Sequence, residues 1–262
     1  MLLTTSYDGS MFSGFVRQAN ARTVQQVLDG AVRALDPGAS PTRCTSRTDA
    51  GVHAEAHPVA FDTVARISSR GWVLGLLQHL PEDVGIVRAE RVPHGYDPRR
   101  HARSKTYRYA ILRSPVRDPL FFGRAWRVGY KLDVERMRSA AQKLVGRHDF
   151  AAFRGSSDVR RDTVRHIFRV EVRTGRSDPR LCELEISGDG FLYNMVRIIA
   201  GTLVDIGRGR LAERVVLEAF ESKSRGNLGV TAPAEGLYLA GVELAVRGGG
   251  GWPEPIAETG DA

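Results

Sequence analysis

The densest run of chemically capable side chains is SRTDAGVHA, residues 46–54. Arg47 and Asp49 stand two apart, so an extended backbone projects both to one side, while Gly51 permits a backbone conformation closed to other residues. Such a turn can present a carboxylate at the edge of a sheet as a nucleophile; the same residues also make an ordinary Asp turn with a local ion pair. A second cluster, His53-Ala54-Glu55-Ala56-His57, sets three potential metal ligands on alternate residues, and H-x-E opens the zinc deaminase signature. That signature also needs P-C-x-x-C. Cys44 and Cys182 have no such neighbour, so no metal is expected, and the strand is read as a solvated or RNA-facing surface. In SKTYRYAI, Tyr107 and Tyr109 alternate about Arg108 and share one strand face, where rings can stack bases, although Tyr109 suits a core position better. In GFLYNMVRIIAGTLVDIG, helical spacing assigns Phe191, Met195, Ile198 and Ile199 to the core and leaves Asn194, Arg197 and Gly201 on another face. Arg197 alone reads as a surface residue. Beside Asp49 it becomes a candidate counter-charge.

The elements that must position these residues follow from periodicity. The chain opens with a strand over 1–7, a Gly-bearing loop YDGSMFSGF, and a helix over 23–35 with Val24, Val27, Leu28, Ala31 and Leu35 behind a Thr cap. Strands PTRCTSR and VHAEAHPVAFDT, a helix over 72–80 and a strand DVGIVRAERV complete the order β-α-β-β-α-β. SKTYRYAIL, DVERMRSAAQKLV, VRHIFRVEVRTG, LCELEISG, FLYNMVRIIAGTLVDIG and GLYLAGVELAV repeat that order, with LAERVVLEAF as an additional helix. The expectation is an α+β fold. It comprises two ferredoxin-like halves, 1–98 and 99–247, whose mainly antiparallel sheets join into one extended sheet with helices on one face and an RNA cleft on the other. The Gly-, Pro- and acid-rich residues 248–262 are expected to be a disordered tail.

Composition bounds the function classes. With 42% hydrophobic residues in 262, the chain can bury a sizeable core, and no apolar run approaches the roughly 18 residues of a membrane span. The first residues lack the pattern of a signal peptide, so a cytoplasmic protein is expected. A net charge of +8, nearly all from Arg, suits a polyanionic partner because guanidinium groups neutralise phosphates and release counterions.

The motifs SRTDAGVHA, YDGSMFSGFVRQ, TYRY, HDFAAFR, GFLYNMVRIIAGTLVDIGRG and AEGLYLAGVEL, in that content and nearly over the whole chain, resemble the tRNA pseudouridine synthase A family. The resemblance implies an isomerase that converts uridine to pseudouridine in the anticodon stem-loop of tRNA, at tRNA positions 38–40, without a cofactor and as a homodimer. It further implies Asp49 as the nucleophile, Tyr107 as the tyrosine beside the target base, Arg197 as the basic partner of Asp49, and Arg47 as part of the same motif. Tyr107 is the candidate to take the C5 proton. Arg17 and Gln18 in the first loop, Arg99 and Arg103 at the junction, and Arg160, Arg161 and Arg165 in the second half are the expected RNA contacts. The chain departs from the common pattern at Ser46, where Gly is usual, at Phe15, where Trp often stands, and in YDPRRHAR, 96–103. Two competing classes are a non-catalytic RNA-binding protein on the same scaffold and a zinc-dependent deaminase.

Overall fold

The computed structural model describes residues 1–175, 178–246 and 248–253. β1 (Leu2–Tyr7) leads into α1 (Val24–Leu35), which Thr23 caps by accepting the Gln26 N–H, and which buries Val24, Leu28, Ala31 and Val32. The chain continues through β2 (Arg43–Cys44), β3 (His53–Ala60), α2 (Ser69–Leu77), β4 (Val84–Arg91) and the short α3 (Pro98–His101). Helix α2 starts three residues earlier than the apolar spacing predicts, because Ser68 accepts the Gly71 N–H and sets the cap there.

The second half comprises β5 (Ala102–Arg113), β6 (Trp126–Val128), α4 (Val134–Gln142), β7 (Gly146–Asp149), β8 (Val164–Thr174), β9 (Leu181–Gly188), α5 (Met195–Gly207), α6 (Val215–Ser222) and β10 (Leu237–Leu244). One mixed sheet runs β11-β4-β1-β3-β10-β5-β9-β8-β7, where β11 is Gly249–Trp252, with β2 paired to β3 and β6 to β5. Most neighbours are antiparallel; β10 and β3 run parallel where the halves meet.

Two cores lie against this sheet. Leu28 and Val32 of α1 and Trp72, Val73 and Leu76 of α2 pack with strand residues of the first half, and Ile198, Ile199 and Leu203 of α5 and Met137 of α4 pack with those of the second. No helix among the described residues is long and apolar enough to cross a membrane.

Three expectations need correction. The tail expected to be disordered begins as an edge strand: Gly249 and Trp252 pair with Arg91 and Ala89 of β4, and the Ser69 hydroxyl donates to the Gly250 carbonyl at 2.7 Å. Residues 254–262 lie outside those described. The histidines of β3 are not on a solvated surface, since His53 and His57 are buried and only Glu55 of the three faces solvent. The expected strand over 41–47 shortens to two residues, because beyond Cys44 side chains bind the backbone: the Lys105 ammonium donates to the Thr45 carbonyl and the Ser46 N–H to the His57 ring.

Candidate active site

The loop carrying Asp49 is fixed from below. His57 Nε2 accepts the Ser46 N–H at 3.3 Å, which leaves Nδ1 of the neutral ring to donate to the Tyr7 hydroxyl at 3.1 Å and the Tyr7 hydroxyl to donate to Thr48 Oγ1 at 2.7 Å. Burial pushes the His57 pKa down to about 3, so this chain of bonds is uncharged at neutral pH. From the side, the Phe15 N–H donates to the Thr48 carbonyl and the Gly51 N–H to the Phe12 carbonyl. Gly14 makes that approach possible: its φ is +96°, and a Cβ there would stand 2.8 Å from the Thr48 carbonyl oxygen. The sequence YDGSMFSGF is therefore the buttress of the Asp49 turn, and Phe15 packs its ring on His57 at 4.6 Å.

Asp49 opens into a pocket of about 540 Å³ lined also by Ser46, Arg47, Lys105, Tyr107 and Arg197. That size lies within the range of roughly 300–1,000 Å³ that holds a single small ligand. Tyr107 forms one wall, its ring edge-on to Phe191 at 5.1 Å. Phe191, read from sequence as core, is thus half in the pocket. Arg197 lies one turn into α5, whose entry residue Asn194 takes the left-handed conformation at φ 60° and accepts from the guanidinium at 2.9 Å, while the Ala232 carbonyl accepts at 2.7 Å. The guanidinium is oriented by neutral acceptors and keeps its charge for the pocket.

Electrostatics single out Asp49. Burial raises its pKa above the ordinary carboxylate range, and the Arg197 charge opposes that rise. Among the described residues no ion pair within 4.0 Å joins Asp49 to Arg47 or Arg197, so the local ion pair read from R-T-D is not formed. Burial also pushes Tyr107 up to about 12; it stands in the pocket as a phenol that must release its own proton before taking one.

The pocket lies on the helix-bearing face, not on the face opposite the helices where the cleft was expected. Strand alternation decides this: Tyr109 lies in the core beneath α5 with its hydroxyl on the Pro233 carbonyl, and Tyr107 shares its face. Arg108 points the other way, onto the Tyr238 ring and to Glu55 and Glu183. Lys105 and Tyr107 of β5 line the pocket together with the Asp49 turn, Arg99 of α3 and the first turn of α5.

Of the expected RNA contacts, Arg99 and Arg160 line the pocket, although Arg160 is already paired with Asp158 at 2.7 Å. Arg17, Gln18, Arg103 and Arg161 are exposed elsewhere, and Arg165 pairs with Asp162 at 3.7 Å. Lys105 was missed. Its signal was present, because it continues the Tyr107 and Tyr109 alternation by one step. The ring nitrogens of His53 are taken by the Gly9 N–H at 3.0 Å and the Glu235 carbonyl at 3.1 Å, and its ring stacks on Tyr238, so it is a joint between the halves.

A half-buried carboxylate beside a tyrosine, inside a nucleotide-sized pocket rich in cations, defines a class of enzyme suited to a nucleobase carried on a polyanion. Comparison with known proteins narrows it. Residues 140–243 match the family model described as tRNA pseudouridine synthase. The tRNA pseudouridine synthase A of Pelobacter propionicus is 42% identical over 240 residues, 92% of this chain and 97% of that protein. The enzymes of the same name from Syntrophotalea carbinolica and Acetivibrio thermocellus are each 40% identical, covering 93% and 92% of this chain and 95% and 97% of their own. Among solved structures, a Cbf5-Nop10-Gar1 complex matches at 10% identity with a TM-score of 0.32, covering 79% of this chain and 54% of that one, a likeness too slight to bear on the fold. The chain belongs to the tRNA pseudouridine synthase A family.

Proposed function

We propose that this protein isomerises uridine to pseudouridine in the anticodon stem-loop of tRNA, at tRNA positions 38–40, with Asp49 as nucleophile. The observation that carries the reading is the Asp49 carboxylate, held without an ion-pair partner among the described residues in a pocket whose other charges are mainly positive. The reaction breaks the bond between ribose C1′ and uracil N1, turns the base and joins C1′ to C5; the proton lost from C5 is balanced by one gained at N1. Asp49 serves attack at uracil C6 or at ribose C1′ from the same place. Arg197 favours its ionised form, more strongly once RNA excludes water. The ring of Tyr107 supports the extruded base, a stacking contact worth roughly 1–3 kcal/mol, and its hydroxyl takes the C5 proton as its own moves on. Arg47 guides the phosphate backbone at the exposed lip. The chemistry calls for no cofactor.

The strand order supports a duplicated architecture: β4-β1-β3-β2 runs fourth, first, third, second in the first half, and β10-β5-β9-β8 repeats that order in the second once the added strands β6 and β7 are set aside. We read these as two ferredoxin-like halves meeting near residue 98, in a cytoplasmic homodimer. The test is unmodified tRNA incubated with purified protein, without metal or nucleotide, and pseudouridine mapped by chemical adduct and primer extension. Product in the anticodon stem-loop is expected with wild type and none with Asp49→Asn, which should still bind tRNA. A binding loss in Asp49→Asn equal to its activity loss would overturn the nucleophile assignment, and tight binding without product in wild type would favour a non-catalytic RNA-binding protein.

A further inference from the structure

The pocket carries more positive charge than its own acids can use. Its lining holds five cations, Arg47, Arg99, Lys105, Arg160 and Arg197, and two carboxylates, Asp49 and Asp158. Asp158 is taken by Arg160, through both carboxylate oxygens, and its pKa is held below the ordinary carboxylate range by that contact. Lys105 is the least expected member. It stands on β5 two residues from Tyr107, half-buried, with its ammonium on the Thr45 carbonyl at 3.0 Å. No ion pair within 4.0 Å joins it to a carboxylate among the described residues. An ammonium withdrawn from water and left with one neutral acceptor is costly, and the cost is recovered when a ligand supplies the anion.

We propose that Lys105, together with Arg99, forms a subsite for one phosphodiester group of the RNA, and that Lys105 makes tRNA binding sensitive to mildly alkaline pH. The inference rests on the pocket being the tRNA site. The groups facing Lys105 are Arg99 from α3, Arg160 from the segment between β7 and β8, Cys44 from β2 and His57 from β3. Burial, then repulsion from Arg99, lowers its pKa to about 8; Arg160 adds to the lowering and Cys44 opposes it. Arginines stay charged throughout this range, and His57 stays neutral. A bound phosphate returns the Lys105 pKa toward 10.5, so the protonated form binds and affinity falls as pH rises through the free-protein value. Linkage gives about tenfold weaker binding at pH 9 than at pH 7.

The experiment measures tRNA affinity by fluorescence anisotropy at pH 7 and pH 9 in the catalytically silent Asp49→Asn protein, with Lys105, Lys105→Arg and Lys105→Met. The expected result is about tenfold weakening with Lys105, less than twofold with Arg, and weak, pH-independent binding with Met, whose salt slope should be lower by about one. The same RNA is used throughout, so its own titration cancels in the comparison. Equal pH dependence for Lys105 and Lys105→Arg would overturn the subsite, and because Arg retains the charge and the stem, that comparison stands even if the Met variant folds poorly. Wild type is assayed for pseudouridine in parallel at pH 7. Product without a Lys105-specific pH effect removes the subsite alone; no product removes the functional reading beneath it.

Discussion

At the residue scale, the site depends on one carboxylate whose environment is balanced between two opposed effects. Burial holds the Asp49 proton, and Arg197 works against it. If the ionised carboxylate is the reacting form, activity falls on the acid side of a pKa above the ordinary Asp value. Removing the positive charge lets burial act alone, so the pKa rises further. Arg197→Gln, which can still donate to the Ala232 carbonyl, is therefore expected to move the acidic limb of the kcat/KM profile to higher pH, with a larger loss at pH 6 than at pH 8. A uniform loss at every pH would mean that Arg197 contacts RNA and leaves Asp49 unaffected. Beneath the loop, His57 illustrates why residue type misleads when burial is unknown. Its imidazole resembles a ligand or base in sequence, yet with both nitrogens engaged and its pKa near 3 it serves as a neutral strut.

At the element scale, the strands and helices are sited by ordinary propensity and capping, while their ends are decided by neighbours. Helix α5 begins at Met195 and not at Phe191 because Asn194 adopts φ 60°, which brings the first turn, and Arg197 with it, to the pocket. Edge strand β11 is the element least legible from composition, being three glycines and a tryptophan. Its stability comes from Trp252, which packs on the first-half core with Arg70 above its ring at 5.8 Å. Trp252→Ala is expected to cost about 1–3 kcal/mol, lowering Tm by roughly 2–4 °C per kcal/mol, with tRNA affinity unchanged. An unaltered Tm in a thermal scan would return residues 249–252 to the status of a loose tail.

At the scale of the whole molecule, charge is distributed unevenly between the two faces of the sheet. On the face away from the helices Arg108, Arg169 and Arg173 are engaged by Glu55, Glu183, Glu171 and Glu185. In the pocket Arg47, Arg99, Lys105 and Arg197 form no such pairs among the described residues. The free cations therefore concentrate where the proposed substrate enters, and counterion release should be governed from there. Replacing Arg47 and Arg99 together by Gln is expected to reduce the slope of log affinity against log salt by about two, while replacing Arg169 and Arg173 leaves it unchanged. The opposite pattern in salt titrations would place the RNA on the helix-free face.

The sequence by itself determined the local features of this protein: the β-α-β-β-α-β order of the first half, the amphipathic helices and the Thr23 cap of α1, and the R-T-D-A-G turn whose Asp carries the proposed chemistry. These depend on periodicity and on residues adjacent in the chain. Tertiary structure alone decided which face of β5 became the pocket, because Tyr107 and Arg108 are equally suited to either side until α5 covers Tyr109. It decided that His53 and His57 are buried, since their strand lies inside a sheet that β10 completes from almost two hundred residues away. It also decided that Lys105 has no carboxylate partner among the described residues, a property of every element packed around it and of none taken singly.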